Sequence, residues 1–147
     1  MPSDITRISP AEAKKLMDEQ GYTYVDVRTE AEYDAGHPVG AHNVPVMNAG
    51  ARGMEPNPDF LKVMKAVYPQ DAKLVLGCKG GNRSMRAARA LVEAGFTSIV
   101  EQRAGWDGAR DQFGALSEPG WLPAGLPTEK NTPGGSYADL RRRTAAG

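Results

Sequence analysis

The chain has 147 residues, of which 40% are hydrophobic and 24% are charged, and its formal net charge is zero. This length and composition suit a single domain with a sizeable core. A neutral chain has no global electrostatic attraction for nucleic acid or for a membrane surface, and no apolar stretch approaches the roughly 20 residues that span a bilayer. We therefore expect neither nucleic acid nor a membrane as a partner.

Short apolar segments alternate with helical patterns along most of the chain, which predicts an α/β fold with a parallel sheet. The predicted strands are, in chain order, residues 5–8, 22–27, 43–46, 73–77 and 98–101. The predicted helices are residues 10–20, 30–35, 58–67, 84–94 and 106–113. In such sheets the chemistry lies beyond the carboxyl ends of the strands.

Local signals mark several boundaries between these elements. Ser9 and Glu12 form the pattern of a capping box, with Pro10 at the first helical position. Gly36 is expected to end the second helix as a left-handed cap. Residues 48–57 are rich in Gly and Asn and are predicted to be a loop.

Residues 114–147 differ in composition from the rest of the chain. They contain six Gly and four Pro, a proportion close to that of disordered segments. Large apolar residues nevertheless recur there: Trp121, Leu122, Leu126, Tyr137 and Leu140. We therefore predict a domain over residues 1–113, followed by an extension over 114–147 that packs across it as a strap and has a frayed basic end at 141–143.

The chain contains a single cysteine, Cys78, which excludes an intramolecular disulfide and any metal site built from several cysteines. The first seven residues lack the basic and then apolar plan of a secretory signal. A free thiol without such a signal is typical of a reducing compartment. We therefore expect a cytoplasmic protein without a metal site.

Cys78 begins the segment Cys-Lys-Gly-Gly-Asn-Arg-Ser, between a predicted strand and a predicted helix. A thiol in that position lies near free N–H groups and the positive end of a helix, which favour the thiolate. Residues 72–92 carry five Lys and Arg and no acid, while Gly80 and Gly81 allow positive φ and an inward-facing nest of N–H groups. We interpret residues 78–84 as a cradle for a nucleophilic thiolate and an anionic substrate.

The residues that follow the cysteine are the candidates for substrate binding: Lys79, Gly80, Gly81, Asn82, Arg83 and Ser84. Lys79 is expected to act as a mobile point charge, whereas Arg83 either holds substrate oxygens in its fork or braces the loop. Asp26 and Arg28 are expected to organise the structure near the site, because buried charges must be paired.

Three motifs, in this order, resemble a single-domain rhodanese, a sulfurtransferase. Residues 26–28, 32–33 and 36–45 are similar to the amino-terminal signature of that family, and residues 78–84 with the following helix are similar to its active-site loop. Residues 100–106 resemble the carboxyl signature, although Ala104 and Gly105 stand where the family usually has two glycines. The resemblance covers roughly residues 5–113.

This resemblance implies a three-layer α/β fold with a central five-stranded parallel sheet flanked by helices. It also implies that the Cys78 thiolate attacks the outer sulfur of a small anionic donor such as thiosulfate, and that sulfite leaves. The Cys78 persulfide would then pass its sulfur to cyanide, a small thiol or a protein acceptor. This chemistry requires no cofactor beyond the covalent persulfide.

Other functions remain open at this point. Cysteine phosphatases and arsenate reductases use a similar nest, but with five residues between the cysteine and an arginine. Here four residues separate Cys78 from Arg83, and Ser84 takes the arginine position. A non-catalytic module that binds a partner is another alternative, although such a module does not require the thiol. A Cys–His hydrolase would need His37 or His42 beside the sulfur.

Overall fold

The computed structural model describes residues 5–146. Its strands are β1 (Thr6–Ile8), β2 (Thr23–Asp26), β3 (His37–Pro38), β4 (His42–Asn43), β5 (Met47–Gly50), β6 (Gly53–Pro56), β7 (Leu74–Gly77), β8 (Ile99–Gln102), β9 (Gly108–Arg110), β10 (Leu116–Pro119) and β11 (Thr128–Glu129). Its helices are α1 (Pro10–Gln20), α2 (Glu30–Ala35), α3 (Phe60–Val67), α4 (Asn82–Glu93) and α5 (Tyr137–Ala146).

Five strands form the central sheet in the order β1–β8–β7–β2–β4. All four pairings between them are parallel, which confirms the predicted α/β fold with a five-stranded parallel sheet. β7 lies in the middle of this sheet and is buried along its whole length. Cys78 follows β7 directly and therefore emerges at the carboxyl edge of the central strand, where ligand crevices form in open α/β sheets.

Alternate residues of the central strands face two separate cores. Val25 of β2 and Leu76 of β7 pack with side chains of α3, α4 and α5. Tyr24 and Val75, their neighbours along the same strands, pack with α1, α2 and Trp121. Because side chains of a strand point alternately to its two faces, this pattern places helices on both sides of the sheet and produces three layers.

The signals at the helix ends are partly confirmed. Ser9 Oγ accepts a hydrogen bond from the Glu12 N–H, and the Glu12 carboxylate accepts one from the Ser9 N–H, so the capping box of α1 is present. Gly36 has φ 152° and ψ 140° rather than a left-handed helical conformation, so the predicted cap is wrong. Residues with a side chain rarely adopt this φ, and a Cβ at Gly36 would also lie 3.2 Å from the Trp106 ring, so both the backbone and the packing favour glycine.

Two predicted segments take a different secondary structure. Residues 48–57 lie in an antiparallel hairpin of β5 and β6 instead of a loop. Residues 106–113 are not helical, because they form a turn and then β9, which pairs antiparallel with β10. The N–H groups of Trp106 and Asp107 donate to carbonyls of the segment after β7, and Gly108 has φ 137°, which a helix does not allow.

The predicted domain boundary at residue 113 falls inside the hairpin of β9 and β10. Further along the chain, β11 pairs antiparallel with β3 and α5 packs against α3. Of the five predicted anchors, Trp121, Tyr137 and Leu140 are buried, Leu126 is partly buried, and Leu122 is half exposed. The predicted frayed end at 141–143 lies within α5, whereas residues 1–4 and 147 lie outside the described residues.

None of the five helices within residues 5–146 has the length and apolar character that a membrane crossing requires.

Candidate active site

Cys78 lies between the end of β7 and the start of α4. Its side chain is buried, and the Gly81 N–H donates a hydrogen bond to Sγ at 3.1 Å. Helix α4, which has 12 residues, begins at the next position, Asn82. Both the N–H group and the positive end of the helix stabilise negative charge on the sulfur. The local geometry therefore suits a thiolate nucleophile.

The two glycines of this loop differ in conformation. Gly81 has φ 100° and ψ −9°, and a Cβ there would lie 2.5 Å from the Arg103 carbonyl oxygen. Gly80 does not have a positive φ, and a Cβ there would meet only the Gly108 carbonyl oxygen, at 3.5 Å. The prediction that both glycines take positive φ is therefore wrong for Gly80, and one turn at Gly81 directs its N–H to the sulfur.

The segment after β8 holds the cysteine loop from its carbonyl side. The Trp106 N–H donates to the Cys78 carbonyl at 2.7 Å, and the Asp107 N–H donates to the Lys79 carbonyl at 3.0 Å. A Cβ at Gly105 would lie 2.5 Å from both of these carbonyl oxygens, so only glycine permits the approach. The carboxyl signature thus keeps the glycine that its contact with the loop requires.

Arg83 braces the start of α4 against α2. Its guanidinium donates to both oxygens of Glu32, at 2.7 and 3.0 Å, and the Thr29 N–H donates to the same carboxylate. Partial burial raises the pKa of Glu32, but the hydrogen bonds from Arg83 and Thr29 outweigh this effect and lower it to about 2. Of the two roles predicted for Arg83, this geometry corresponds to the brace.

Asp26 and Arg28 form a buried ion pair, with side chains 1% and 4% exposed. Arg28 Nη2 lies 2.6 Å from Asp26 Oδ2 and also donates to the Gly36 carbonyl at 2.7 Å. The guanidinium lies 4.8 Å from the centre of the Trp106 ring. Burial lowers the pKa of Arg28, but the hydrogen bond and charge of Asp26 outweigh it, so the pKa is raised. These contacts agree with the predicted structural role of the pair.

A cavity of about 430 Å³ opens over Cys78. It is lined by Cys78, Lys79, Gly80, Asn82 and Arg83 from the loop and the start of α4, by Asp107, and by Gly108 and Arg110 of β9. Most of the predicted substrate-binding residues therefore share one cavity with the sulfur. Asp26 and Arg28 do not line it.

Two cations of this cavity are available to an anion. Lys79 Nζ lies 3.6 Å from Asp107 Oδ2, and the two side chains are 61% and 47% exposed, so this pair is weak. No salt bridge in the described part of the chain involves Arg110, whose side chain donates only to the Gly114 carbonyl, at 3.3 Å. Arg110 was not predicted as a site residue, because it lies in the segment predicted to be the last helix.

Ser84 lies behind the sulfur and does not line the cavity. The Cys78 thiol donates to Ser84 Oγ at 3.3 Å, and the Ser84 hydroxyl donates to the Glu101 carboxylate. Arg7 Nε donates to the other oxygen of Glu101 at 2.6 Å. Ser84 and Glu101 have no exposed surface, so Ser84, predicted to bind substrate, is instead part of a buried polar chain.

In the fold, three acids lie close to residues 72–92, the segment that contains only positive charges in the sequence. Glu32 and Asp107 pair with Arg83 and Lys79, and Glu101 lies two hydrogen bonds from the sulfur. All three acids come from distant parts of the sequence. Only the position of Glu101 at the end of the predicted strand 98–101 was an indication, since a buried acid needs a partner.

The two histidines are engaged away from the sulfur. His37 Nε2 hydrogen-bonds to Thr132 Oγ1 at 2.8 Å, and His42 Nδ1 hydrogen-bonds to the Tyr68 hydroxyl at 2.5 Å. Neither is bonded to Cys78, which argues against a Cys–His hydrolase. Within residues 5–146, no three His, Cys, Asp or Glu side chains converge as a metal site.

Comparison with known families matches residues 9–112 to the Rhodanese-like domain. Thiosulfate sulfurtransferase 16, chloroplastic, of Arabidopsis thaliana is 42% identical over 109 residues, which cover 74% of this chain and 81% of that protein. Thiosulfate sulfurtransferase GlpE of Pseudomonas fluorescens (strain SBW25) is 33% identical over 105 residues, covering 71% of this chain and 84% of that protein. The crystal structure of Rv0390 from M. tuberculosis is similar with a TM-score of 0.70 and 30% identity, covering 88% of this chain and 100% of that one.

Proposed function

Because the chain belongs to the rhodanese-like domain family, we propose that it is a sulfurtransferase that carries sulfane sulfur as a persulfide on Cys78. The observation that carries this proposal is the hydrogen bond from the Gly81 N–H to Sγ, at the start of α4 and at the base of a cavity with available cations. The relatives named thiosulfate sulfurtransferase support the same class of reaction.

In the first half-reaction, Lys79 and Arg110 attract the sulfonate oxygens of a thiosulfate dianion. The Cys78 thiolate attacks the outer sulfur, and a new bond forms between that sulfur and Sγ. The bond between the two sulfur atoms of thiosulfate breaks, and its electron pair leaves with sulfite. The persulfide carries the negative charge, which the amino end of α4 stabilises. No cofactor takes part.

In the second half-reaction, cyanide or a thiolate attacks the outer sulfur of the persulfide. The bond between the two sulfur atoms breaks, and the Cys78 thiolate leaves and is ready for another donor. Cys78 is only 2% exposed, so the reacting end of an acceptor must be small. A protein acceptor would therefore need to present a thiol on a projecting segment.

The environment of Arg83 favours sulfur transfer over phosphate or arsenate chemistry. Both oxygens of Glu32 occupy the guanidinium fork of Arg83, so the fork is not free to hold two oxygens of a tetrahedral anion. Ser84, in the place where phosphatases have their arginine, is buried behind the sulfur. The remaining cations, Lys79 and Arg110, suit a small anion that delivers a single sulfur atom.

The proposal is tested by initial rates of thiocyanate formation from thiosulfate and cyanide, with para-nitrophenyl phosphate and arsenate as parallel substrates. The wild type is expected to form thiocyanate, the folded Cys78→Ser variant is expected not to, and neither should hydrolyse the phosphate ester. Efficient phosphate hydrolysis that depends on Cys78 would replace the proposal with a phosphatase. A folded wild type that takes sulfur from none of the three donors thiosulfate, mercaptopyruvate and glutathione persulfide would contradict the proposal and favour a binding module.

A further inference from the structure

The buried chain behind Cys78 is more than the proposed reaction requires. A thiolate held only by the helix end and the Gly81 N–H needs no carboxylate, and a nearby negative charge opposes it. Yet Glu101, with no exposed surface, is linked to the sulfur through a single hydroxyl. Burying an ionised carboxylate is costly even where an arginine such as Arg7 pairs with it, so the place of Glu101 beside the nucleophile needs a reason.

The direction of the hydrogen bonds supplies that reason. Ser84 has one hydroxyl proton, which it donates to the ionised Glu101 while its oxygen accepts the proton of the Cys78 thiol. We propose that Glu101 is the acceptor of the thiol proton, with the Ser84 hydroxyl as the relay between them. This inference rests on the proposed function, since it explains how the nucleophile of that reaction is formed.

The transfer is balanced within the protein. The S–H bond of Cys78 breaks as an O–H bond forms on Ser84, and the original O–H bond of Ser84 breaks as one forms on Glu101. Afterwards Ser84 donates to the thiolate, and the protonated Glu101 donates to Ser84. Every hydrogen bond is kept with its direction reversed, and the negative charge moves from the carboxylate to the sulfur.

Within the described residues, the Ser84 hydroxyl is the acceptor that is bonded to the Cys78 thiol, and the other route for the proton is into the cavity that Cys78 lines. Gly81 N–H and Ser84 Oγ are the hydrogen-bond partners of Sγ in the part of the chain that the structure describes. From β1, Arg7 faces Glu101 as a cation; from α4 the contact is the Ser84 hydroxyl; and Cys78 follows β7. Ser84 and Glu101 have no exposed surface, so neither group contacts the solvent directly.

The pH dependence of thiol alkylation by iodoacetamide tests the relay, because an internal transfer releases no proton to the solvent. The proposal makes the thiolate with protonated Glu101 the main form of the pair. The population of that form does not change with pH until the pair gains or loses a further proton, so the wild-type rate is expected to be nearly flat across the neutral pH range. In Glu101→Gln the proton must leave to the solvent, so the rate should rise about tenfold per pH unit and approach the wild-type rate at high pH. The matched control is Glu118→Gln, which breaks a carboxylate–arginine pair with Arg103 and should keep the flat profile.

Ser84→Ala removes the hydroxyl that relays the proton and should give the same sloping pH profile as Glu101→Gln. It leaves the Glu101–Arg7 pair in place, so it keeps the test open if Glu101→Gln does not fold. Ser84→Thr keeps a hydroxyl and should restore the flat one. A sloping wild-type profile would overturn the proposal, as would flat profiles in Glu101→Gln and Ser84→Ala. Because alkylation needs no sulfur donor, either result is separate from failure of the thiosulfate assay.

Discussion

Two sets of charged residues surround Cys78, and they differ in how completely their partners satisfy them. The buried set consists of Asp26, Arg28 and Glu101, whose polar atoms are held by several short hydrogen bonds and whose side chains are at most 4% exposed. The rim consists of Lys79, Asp107 and Arg110, where the one ion pair is 3.6 Å long and both partners are largely exposed. Acidic and cationic side chains are thus buried and closely paired in one set, and exposed and loosely paired in the other.

This difference separates positioning from binding. A buried and fully paired charge is expensive to disturb, so it fixes the backbone around the nucleophile. An exposed and loosely paired charge gains little from its partner, so an incoming anion can replace that partner at small cost. The predictions below separate these two roles by the size of the expected effect.

The largest effect is expected from breaking the buried pair. Arg28→Met leaves the Asp26 carboxylate buried without its partner, which should lower the free energy of unfolding by about 3–5 kcal/mol. Lys14→Met, which removes the exposed pair with Asp18 in α1, is the control and should cost less than about 0.5 kcal/mol. Urea unfolding measures both, and similar losses in the two variants would contradict the distinction.

The next effect concerns the turn that directs an N–H to the sulfur. Gly81→Ala introduces a Cβ at positive φ and 2.5 Å from a carbonyl oxygen, and should cost about 2 kcal/mol or more of stability. Gly80→Ala meets nothing closer than 3.5 Å and should change stability by less than about 1 kcal/mol. Unfolding of the two variants, made at adjacent positions, checks the conformations directly; equal losses would show that the turn is not at Gly81.

The brace between α2 and α4 should appear in the acid stability. The pKa of Glu32 is lowered in the folded protein to about 2. The ionised carboxylate therefore stabilises the fold fully above the ordinary pKa of a glutamate, and this stabilisation is lost as the pH falls towards about 2. This contribution is on the order of 2 kcal/mol, and Glu32→Gln should therefore flatten the loss of unfolding free energy over that acid range. Glu30→Gln, at an exposed position of the same helix, should leave the wild-type pH dependence in place.

The smallest effect is expected at the rim. Lys79→Ala and Arg110→Ala should each raise the KM for thiosulfate several-fold, which corresponds to about 1 kcal/mol, and the effect should shrink as salt is added. Arg86→Ala is the control, because Arg86 is exposed on α4 but does not line the cavity. Steady-state kinetics at low and high salt measure the KM of each variant. An equal change of KM in all three variants would contradict a role of the rim in binding the donor.

The sequence was sufficient where the signals are local. The alternation of strands and helices, the capping box at Ser9 and the cysteine loop at 78–84 all depend on neighbouring residues, and the structure contains each of them. The last predicted helix was wrong because the N–H groups of Trp106 and Asp107 bind a loop nearly thirty residues earlier in the chain. The spacing of residues along the chain does not indicate a hydrogen-bond partner that is so far away in sequence.

The partners of the site residues were also beyond local reasoning. Glu32 for Arg83, Asp107 for Lys79 and Glu101 for Ser84 come from other elements of the fold, and each changes what its partner can do. The cytoplasmic location stays a prediction. So does the division of the chain at residue 113, where the hairpin of β9 and β10 joins the two predicted parts.

The central claim, that Cys78 carries the transferred sulfur, is tested most directly by intact-mass measurement of the protein after incubation with thiosulfate and removal of the excess. We predict a gain of one sulfur atom in the wild type, its loss when cyanide is added, and no gain in Cys78→Ser. A folded wild type whose mass does not change, or a Cys78→Ser variant that gains the same mass, would contradict the account.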